Sequence, residues 1–279
     1  MSTQAPQFSR SRALIIALIC AVAFIGTLFL SPIPQDPAYH AFGDHRHLLG
    51  IDNFWNVVSN LPFILVGLLG MYEWWRQQTG SESEHLQLHA AATQMPGVFL
   101  YFFAGVLLTG VGSAYYHLNP NNTTLIFDRL PMTISFMAFF SLVIGSHVRF
   151  DFARLAVVPL LVIGCGSVEY WGYTQAQGSG DLRWYALVQF LPIVLVPIIV
   201  AGSKSTFLNA KTICWIIGFY VLAKLLEHED AVIFGLTGSE MSGHAIKHVA
   251  ASVATFIVYR DVVKLRKRPA WAMTTGEVA

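Results

Sequence analysis

Eight runs of apolar residues, each close to the length of a bilayer-spanning helix, constrain this chain more than any other feature. They fall near 13–31, 54–76, 97–117, 124–146, 154–174, 184–202, 211–228 and 243–264. About 20 helical residues cross the roughly 30 Å hydrocarbon layer of a bilayer, where every backbone polar group must be paired within its own segment. The expected fold class is an all-α membrane protein with eight spans. Composition agrees, since only 12% of the 279 residues are charged, against ~25% in ordinary soluble domains.

Other classes fall away quickly. A net charge of +1 gives no argument for nucleic acid or for a strongly acidic partner. Cys20, Cys165 and Cys214 lie far apart in apolar runs and read as small buried hydrophobes, with no CxxC pair for a zinc ribbon or redox work. There is no soluble second domain, internal repeat or low-complexity tract. The first run follows Arg10 and Arg12 and exits through SPIPQD without a small-x-small cleavage site. It is therefore expected to be a retained helix rather than a signal peptide. Residues 81–94 read as a polar loop with at most one helical turn. Trp74, Trp75, Trp171 and Trp184 sit near helix ends, as interfacial anchors do. Pro159, Pro192 and Pro197 are expected to kink their helices.

Orientation follows from lysine and arginine placement. With eight spans both termini share one side. That side carries Arg10, Arg12, Arg76, Arg149, Arg154, Lys204, Lys211, Arg260, Lys264, Arg266, Lys267 and Arg268, against Arg46, Arg129, Arg183, Lys224 and Lys247 on the other. Both termini are then cytoplasmic. The short loops point to a bacterial inner membrane.

The polar residues that interrupt the runs are concentrated. GVGSAYYHLNPNNTTLIFDRLP, Gly110 to Pro131, places Ser113, His117 and Asp128 where one run ends and the next begins. SGHAIKHVAAS supplies His244 and His248 at the start of the last run. Residues four apart share a helix face. The assumed topology brings His117, Asp128, His244 and His248 to one membrane depth, toward the outer side, with Ser113 one turn below His117. Three imidazoles match a catalytic zinc site, which takes three protein ligands and keeps a fourth position for water. Zinc lowers the pKa of that water to about 7. Asp128 is suited to take the water's proton and return it to a leaving group. Ser113 is suited to donate a hydrogen bond to the water or to a developing oxyanion. No GxSxG elbow is present, so a metal-activated water is preferred over a serine nucleophile.

At these residues the chain resembles the alkaline ceramidase family, within a wider group of seven-helix membrane hydrolases that includes the adiponectin receptors. Three blocks carry the resemblance: GIDNFWNVVSNLPFILVGLLG (50–70), GVGSAYYHLNPNNTTLIFDRLPM (110–132) and GHAIKHVAA (243–251). The resemblance implies an intramembrane zinc amidase that hydrolyses ceramides to a fatty acid and a sphingoid base. It implies zinc ligands at His117, His244 and His248, a general base and acid at Asp128, and an oxyanion or water-positioning residue at Ser113. The implied organisation is a cytoplasmic N-terminus and additional helix (1–31), an outer loop (32–53), a seven-helix catalytic core (54–268) and a cytoplasmic tail (269–279). Eukaryotic relatives carry an acidic calcium site before the first core helix. Here that stretch is YHAFGDHRHLLGIDN, whose Asp44, Asp52 and Asn53 sit among His45, Arg46 and His47, a poor calcium cage. The calcium site is not carried over, and His40, His45 and His47 read as a solvated loop rather than a second metal site.

Glu169 and the cluster Glu227, His228, Glu229 and Asp230 are further intramembrane candidates. Glu169 also suits an interfacial position. Lys224 and Glu227 are spaced to pair, and Lys247 is placed to meet one of these acids or a lipid phosphate. The only partner inferred is a lipid substrate, with no protein or nucleic acid. The readings that compete with the ceramide amidase are a metal-containing receptor of the adiponectin-receptor kind, a transporter, a catalytically idle structural protein, and a hydrolase of non-sphingolipid N-acyl lipids. A receptor would need a cytoplasmic partner domain, and a transporter would show paired repeats. Neither is visible in the sequence.

Overall fold

The structure, a computed structural model, describes residues 8–80 and 90–265. The predicted tail at 269–279 and most of the predicted polar loop at 81–94 lie outside these residues. The described chain is helical without a strand. In order the helices are α1 (Arg10–Phe29), α2 (Phe54–Val58), α3 (Leu61–Thr79), α4 (Ala90–Gln94), α5 (Pro96–Leu118), α6 (Asn122–His147), α7 (Phe150–Ala176), α8 (Arg183–Val200), α9 (Ala210–His228), α10 (Asp230–Leu236) and α11 (Gly243–Lys264). A short 3₁₀ turn, Pro37–His40, lies in the loop between α1 and α2.

Each predicted apolar run became a long helix, with α2 and α3 sharing the second. Among the described residues six of these are long and apolar enough to cross a membrane: α1, α2–α3, α5, α6, α7 and α8. The chain is thus an integral, multi-pass membrane protein. The last two differ for a chemical reason. Helix α9 has 19 residues but carries Lys211, Lys224 and Glu227. Helix α11 has 22 but carries His244, Lys247, His248, Arg260, Asp261 and Lys264. The residues that dilute their apolarity include those that build the site.

Local chemistry fixes the helix ends there. The Asn121 side chain accepts hydrogen bonds from the Thr123 and Thr124 amides at 2.9 and 3.0 Å, and the Asn121 amide donates to the Thr124 hydroxyl. This capping box starts α6 three residues after α5 stops. The tight reversal matters, because Ser113 lies five positions before the end of α5 and Asp128 six positions into α6. At 1.5 Å per residue both sit about 8–9 Å below the turn. Ser242 caps α11, its hydroxyl accepting from the Ala245 amide at 3.1 Å. The helices approach closely through glycine. A Cβ at Gly112 would collide with the Phe127 carbonyl of α6, and one at Gly243 with the Leu226 carbonyl of α9. Small residues at such crossings are what lets membrane helices pack.

Helix α5 packs against α3 and α6, α6 against α7 and α8, and α11 against α9 and α3, while α1 leans mainly on α8. The main apolar core, around Phe99, Phe103, Leu142 and Val258, fills the half of the bundle away from the α5–α6 turn. A smaller cluster of Phe42, Tyr116, Leu125, Val168, Trp171 and Tyr185 fills the half near it.

Two assignments from the sequence change. Trp171 is fully buried rather than an interfacial anchor, because Arg129 is inside the protein too. The Arg129 guanidinium lies 4.5 Å from the Trp171 ring, 4.9 Å from Tyr185 and 5.3 Å from Tyr39, and donates to Gln35 Oε1 at 2.6 Å. A cation held among aromatic faces needs those faces inside. Cys214 faces outward on α9, and the protein does not bury it. Pro159, Pro192 and Pro197 sit inside continuous helices, as does Pro131.

Candidate metal centre and its cavity

The α5–α6 reversal and the start of α11 bring three imidazoles together. His117, His244 and His248 each offer a ring nitrogen, all within 4.8 Å of one another. All three rings are buried, 1%, 4% and 6% exposed. The Nε2 atoms of His117 and His244 are 3.3 Å apart. Two nitrogens at 2.0–2.1 Å from a tetrahedral zinc are separated by about 3.3–3.4 Å, so this spacing fits a shared ion. Such dense packing of basic nitrogens away from water is costly unless a proton or a cation sits between them.

One of the rings meets Ser59, a residue outside the five candidates. Ser59 Oγ lies 2.8 Å from His248 Nδ1. The Ser59 hydroxyl also donates to the Asn56 carbonyl at 3.3 Å. A serine has one O–H; when it is spent on Asn56, the oxygen accepts from a protonated Nδ1. The Nε2 lone pair of His248 is then free to face the other two histidines. This is the arrangement in which an outer hydroxyl fixes the tautomer of a metal ligand. The only clue in the sequence was NVVSN, a polar interruption at the head of an apolar run. In the structure it is the break between α2 and α3. By contrast, His117 Nδ1 is buried with no hydrogen-bond partner. The three residues as placed can hold a metal ion.

Asp128 and Ser113 join the same space. Both are buried, and the Ser113 hydroxyl faces the Asp128 carboxylate. With His248 they line the head of a cavity of about 200 Å³. The cavity continues between α5–α6 on one side and α9–α11 on the other, past Phe102, Phe139, Val196, Ile216 and Val258. Ser113 and Phe102 are 11 positions apart on α5, which at 1.5 Å per residue is about 16 Å. The cavity therefore has a polar head and a long apolar lobe.

The loop between α1 and α2 covers the histidines. The Phe42 ring lies 4.5 Å from His244 and 4.8 Å from His117, centre to centre, and is itself buried. Asp230 ties this loop to α11: its carboxylate accepts from the Gly43 amide and from the His244 amide, both at 2.7 Å. The Asn53 side-chain amide donates to the His117 carbonyl at 3.0 Å. Asp44 is held by Arg46, whose guanidinium also donates to the Glu240 carbonyl. Burial alone would push the Asp44 carboxyl up, but hydrogen bonds from Arg46 hold it below the usual carboxylate range. Of the loop histidines, His40 is inside the polar network, with ring nitrogens 2.8 Å from the Tyr116 hydroxyl and 2.9 Å from Asn122 Oδ1. His45 and His47 are exposed, and His47 pairs with Asp52.

The remaining acids separate clearly. Glu169 lies on an exposed face of α7, away from the histidines. Glu227 is at the cavity, paired with Lys224 at 2.7 Å and with Lys247. His228 and Glu229 face outward.

No curated protein matches the chain. The family model described as Ceramidase matches residues 44–268, from Asp44 in the covering loop to the end of α11 and just beyond. That span holds all three histidines, Asp128, Ser113 and Ser59. It also covers four-fifths of the chain, 225 of 279 residues, and on that match the chain belongs to the Ceramidase family.

Proposed function

We propose that this protein is an intramembrane, zinc-dependent amide hydrolase acting on ceramide-like N-acyl lipids. It would release a fatty acid and a sphingoid base or other amine. The observation that carries this reading is the convergence of three buried imidazoles with Asp128 and Ser113 at the head of an apolar cavity. His117, His244 and His248 hold the ion in this scheme. Zinc at such a site supplies Lewis acidity and a water that ionises near neutral pH.

The chain's own groups do the rest. The apolar lobe takes the acyl chain and leaves the amide among the polar residues at its head. Asp128 takes a proton from the attacking water and delivers it to the departing nitrogen, so water and amide become acid and amine. Ser113 donates a hydrogen bond to the oxygen on which charge develops. Phe42 and the loop around it keep bulk water off the imidazoles, which strengthens every electrostatic contact beneath. The working unit is the seven-helix core 54–268, preceded by an additional helix (1–31) and a loop (32–53). Twelve lysines and arginines against five support cytoplasmic termini, with the site toward the outer side of a bacterial inner membrane.

The test is metal analysis of purified protein with fatty-acid release from ceramide. The expectation is about one zinc per chain, lost in both His117→Ala and His244→Ala. Asp128→Asn should keep the metal while release falls by at least about a hundredfold. Undisturbed protein without a transition metal, or unimpaired release by Asp128→Asn, would overturn the reading.

A further inference from the structure

The head of the cavity holds more charge than the proposed chemistry uses. Lys224 and Glu227 come from α9 and Lys247 from α11, and all three line the cavity beside Asp128, Ser113 and His248. Glu227 Oε2 accepts from Lys224 Nζ at 2.7 Å, and Glu227 Oε1 accepts from Lys247 Nζ. The Tyr39 hydroxyl adds a long contact to Oε1 at 3.4 Å. The side chains of Lys247 and Glu227 are only 15% and 18% exposed, and that of Lys224 39%.

Each ammonium has three donors. Glu227 is the one acceptor that either lysine meets among the described residues. Four of the six N–H groups are therefore unspent beside the cavity. For Lys247, whose side chain is 15% exposed, unused donors are costly. Glu227 holds the two lysines a short distance apart but neutralises only one of them. Asp128 lines the same cavity and brings the sum of the four groups to zero. A divalent ion on the three imidazoles makes it +2.

We propose that Lys224, Glu227 and Lys247 form the headgroup subsite of this cavity, and that it takes an acidic group, in the simplest case a carboxylate, carried on the amine side of the scissile amide. The acyl chain lies in the apolar lobe, the amide at Asp128 and Ser113, and the acid between the two ammonium groups. Among the N-acyl lipids of the proposed activity, those with an acidic group on the amine side, such as N-acyl amino acids, are then preferred. The assignment to the amine side rests on the hydrolase reading, whereas the binding of an acidic lipid does not.

The test compares N-palmitoylglycine with its methyl ester, which removes that charge at the cost of one added methyl. Equilibrium binding of each radiolabelled probe to metal-loaded full-length protein in neutral detergent gives one readout, and released palmitate a second. The free acid should bind at least about tenfold more tightly than the ester, as expected for a charge-assisted hydrogen bond. In Lys247→Met and in Lys224→Met that ratio should collapse toward one. Equal affinities in the unaltered protein would overturn the proposal without any variant being needed. A ratio unchanged in both variants would also overturn it. So would Lys247→Met weakening acid and ester alike, because Lys247 would then serve the amide itself. Acid-selective binding with no palmitate released would sink the hydrolase reading and leave the subsite standing. Release without acid preference would do the reverse.

Discussion

Replacing Ser59 with alanine tests the link between an outer hydroxyl and the metal centre. Ser59 Oγ lies 2.8 Å from His248 Nδ1, and both groups are buried. With Nδ1 protonated, the alanine variant leaves its N–H without that partner in a buried position. An orphaned buried donor costs about 1–3 kcal/mol. The ring has two escapes, which are to rotate toward another acceptor or to move the proton to Nε2. Either one removes the lone pair that faces His117 and His244. The loss should therefore fall on metal affinity, by roughly 10- to 100-fold, as when an outer partner of a metal ligand is removed. The assay is zinc competition against a chromogenic chelator in detergent, with Ser59→Thr as the partner variant that keeps a hydroxyl. Threonine should retain affinity within a few-fold and alanine should not. If alanine binds zinc as tightly as the unaltered chain, Ser59 does not set the His248 tautomer.

Three further outcomes follow from the same geometry. Chelation with EDTA should lower the thermal midpoint and added zinc should restore it, since a ligand at 100 times its Kd stabilises by about 2.7 kcal/mol. No shift on chelation would mean that no ion braces the α5–α11 contact. Gly112→Ala should destabilise by at least about 1–3 kcal/mol, read as a lower thermal midpoint, because the added methyl meets the Phe127 carbonyl where α5 and α6 cross; an unchanged midpoint would refute that close approach. Asp181, in the α7–α8 turn, is held below the usual carboxylate range by hydrogen bonds from Arg183, which also donates to the Leu30 carbonyl. A depressed carboxyl contributes stability above its unfolded pKa, about 3.9, and loses it as pH falls through the lower folded value. Asp181→Asn should therefore destabilise at pH 7 and flatten the acid limb of the stability profile; an unaltered limb would show that the pair contributes nothing.

The fold was legible because a bilayer leaves few options. Once an apolar run reaches about 20 residues it must be a helix, and the predicted ends at 97–117 and 243–264 agree with α5 and α11 to within a residue. What the sequence could not convey was which faces meet. Arg129 was counted among the outer-side charges for orientation, and Trp171 among interfacial rings. They are instead two halves of one buried contact. Linear spacing cannot reveal a partner 42 positions away on the next helix, and an arginine at a helix end has the same appearance whether it reaches outward or folds inward over aromatic faces. The same holds for the loop 32–53. Its composition suggested a solvated connection, yet Phe42 lies over two imidazoles and Tyr39 reaches Glu227.

The five candidate residues were legible for a related reason. Histidine, aspartate and serine are expensive inside a bilayer, so their clustering at run ends stood out against an apolar background. Ser59 did not stand out. A single hydroxyl near a helix start is cheap, since it normally bonds its own backbone, and this one does so through Asn56. Its second bond, to a histidine 189 positions away, is what joins it to the site. The lysines show the complementary case. Sequence spacing predicted the pairing of Lys224 with Glu227 and offered Lys247 as a second partner, and both pairs formed. Pairing alone would make them a structural ion pair. Their position on the cavity wall, with two cations sharing one carboxylate, is what turns a satisfied salt bridge into a site with donors left over. In a low-dielectric cavity such a surplus selects for the charge of whatever enters.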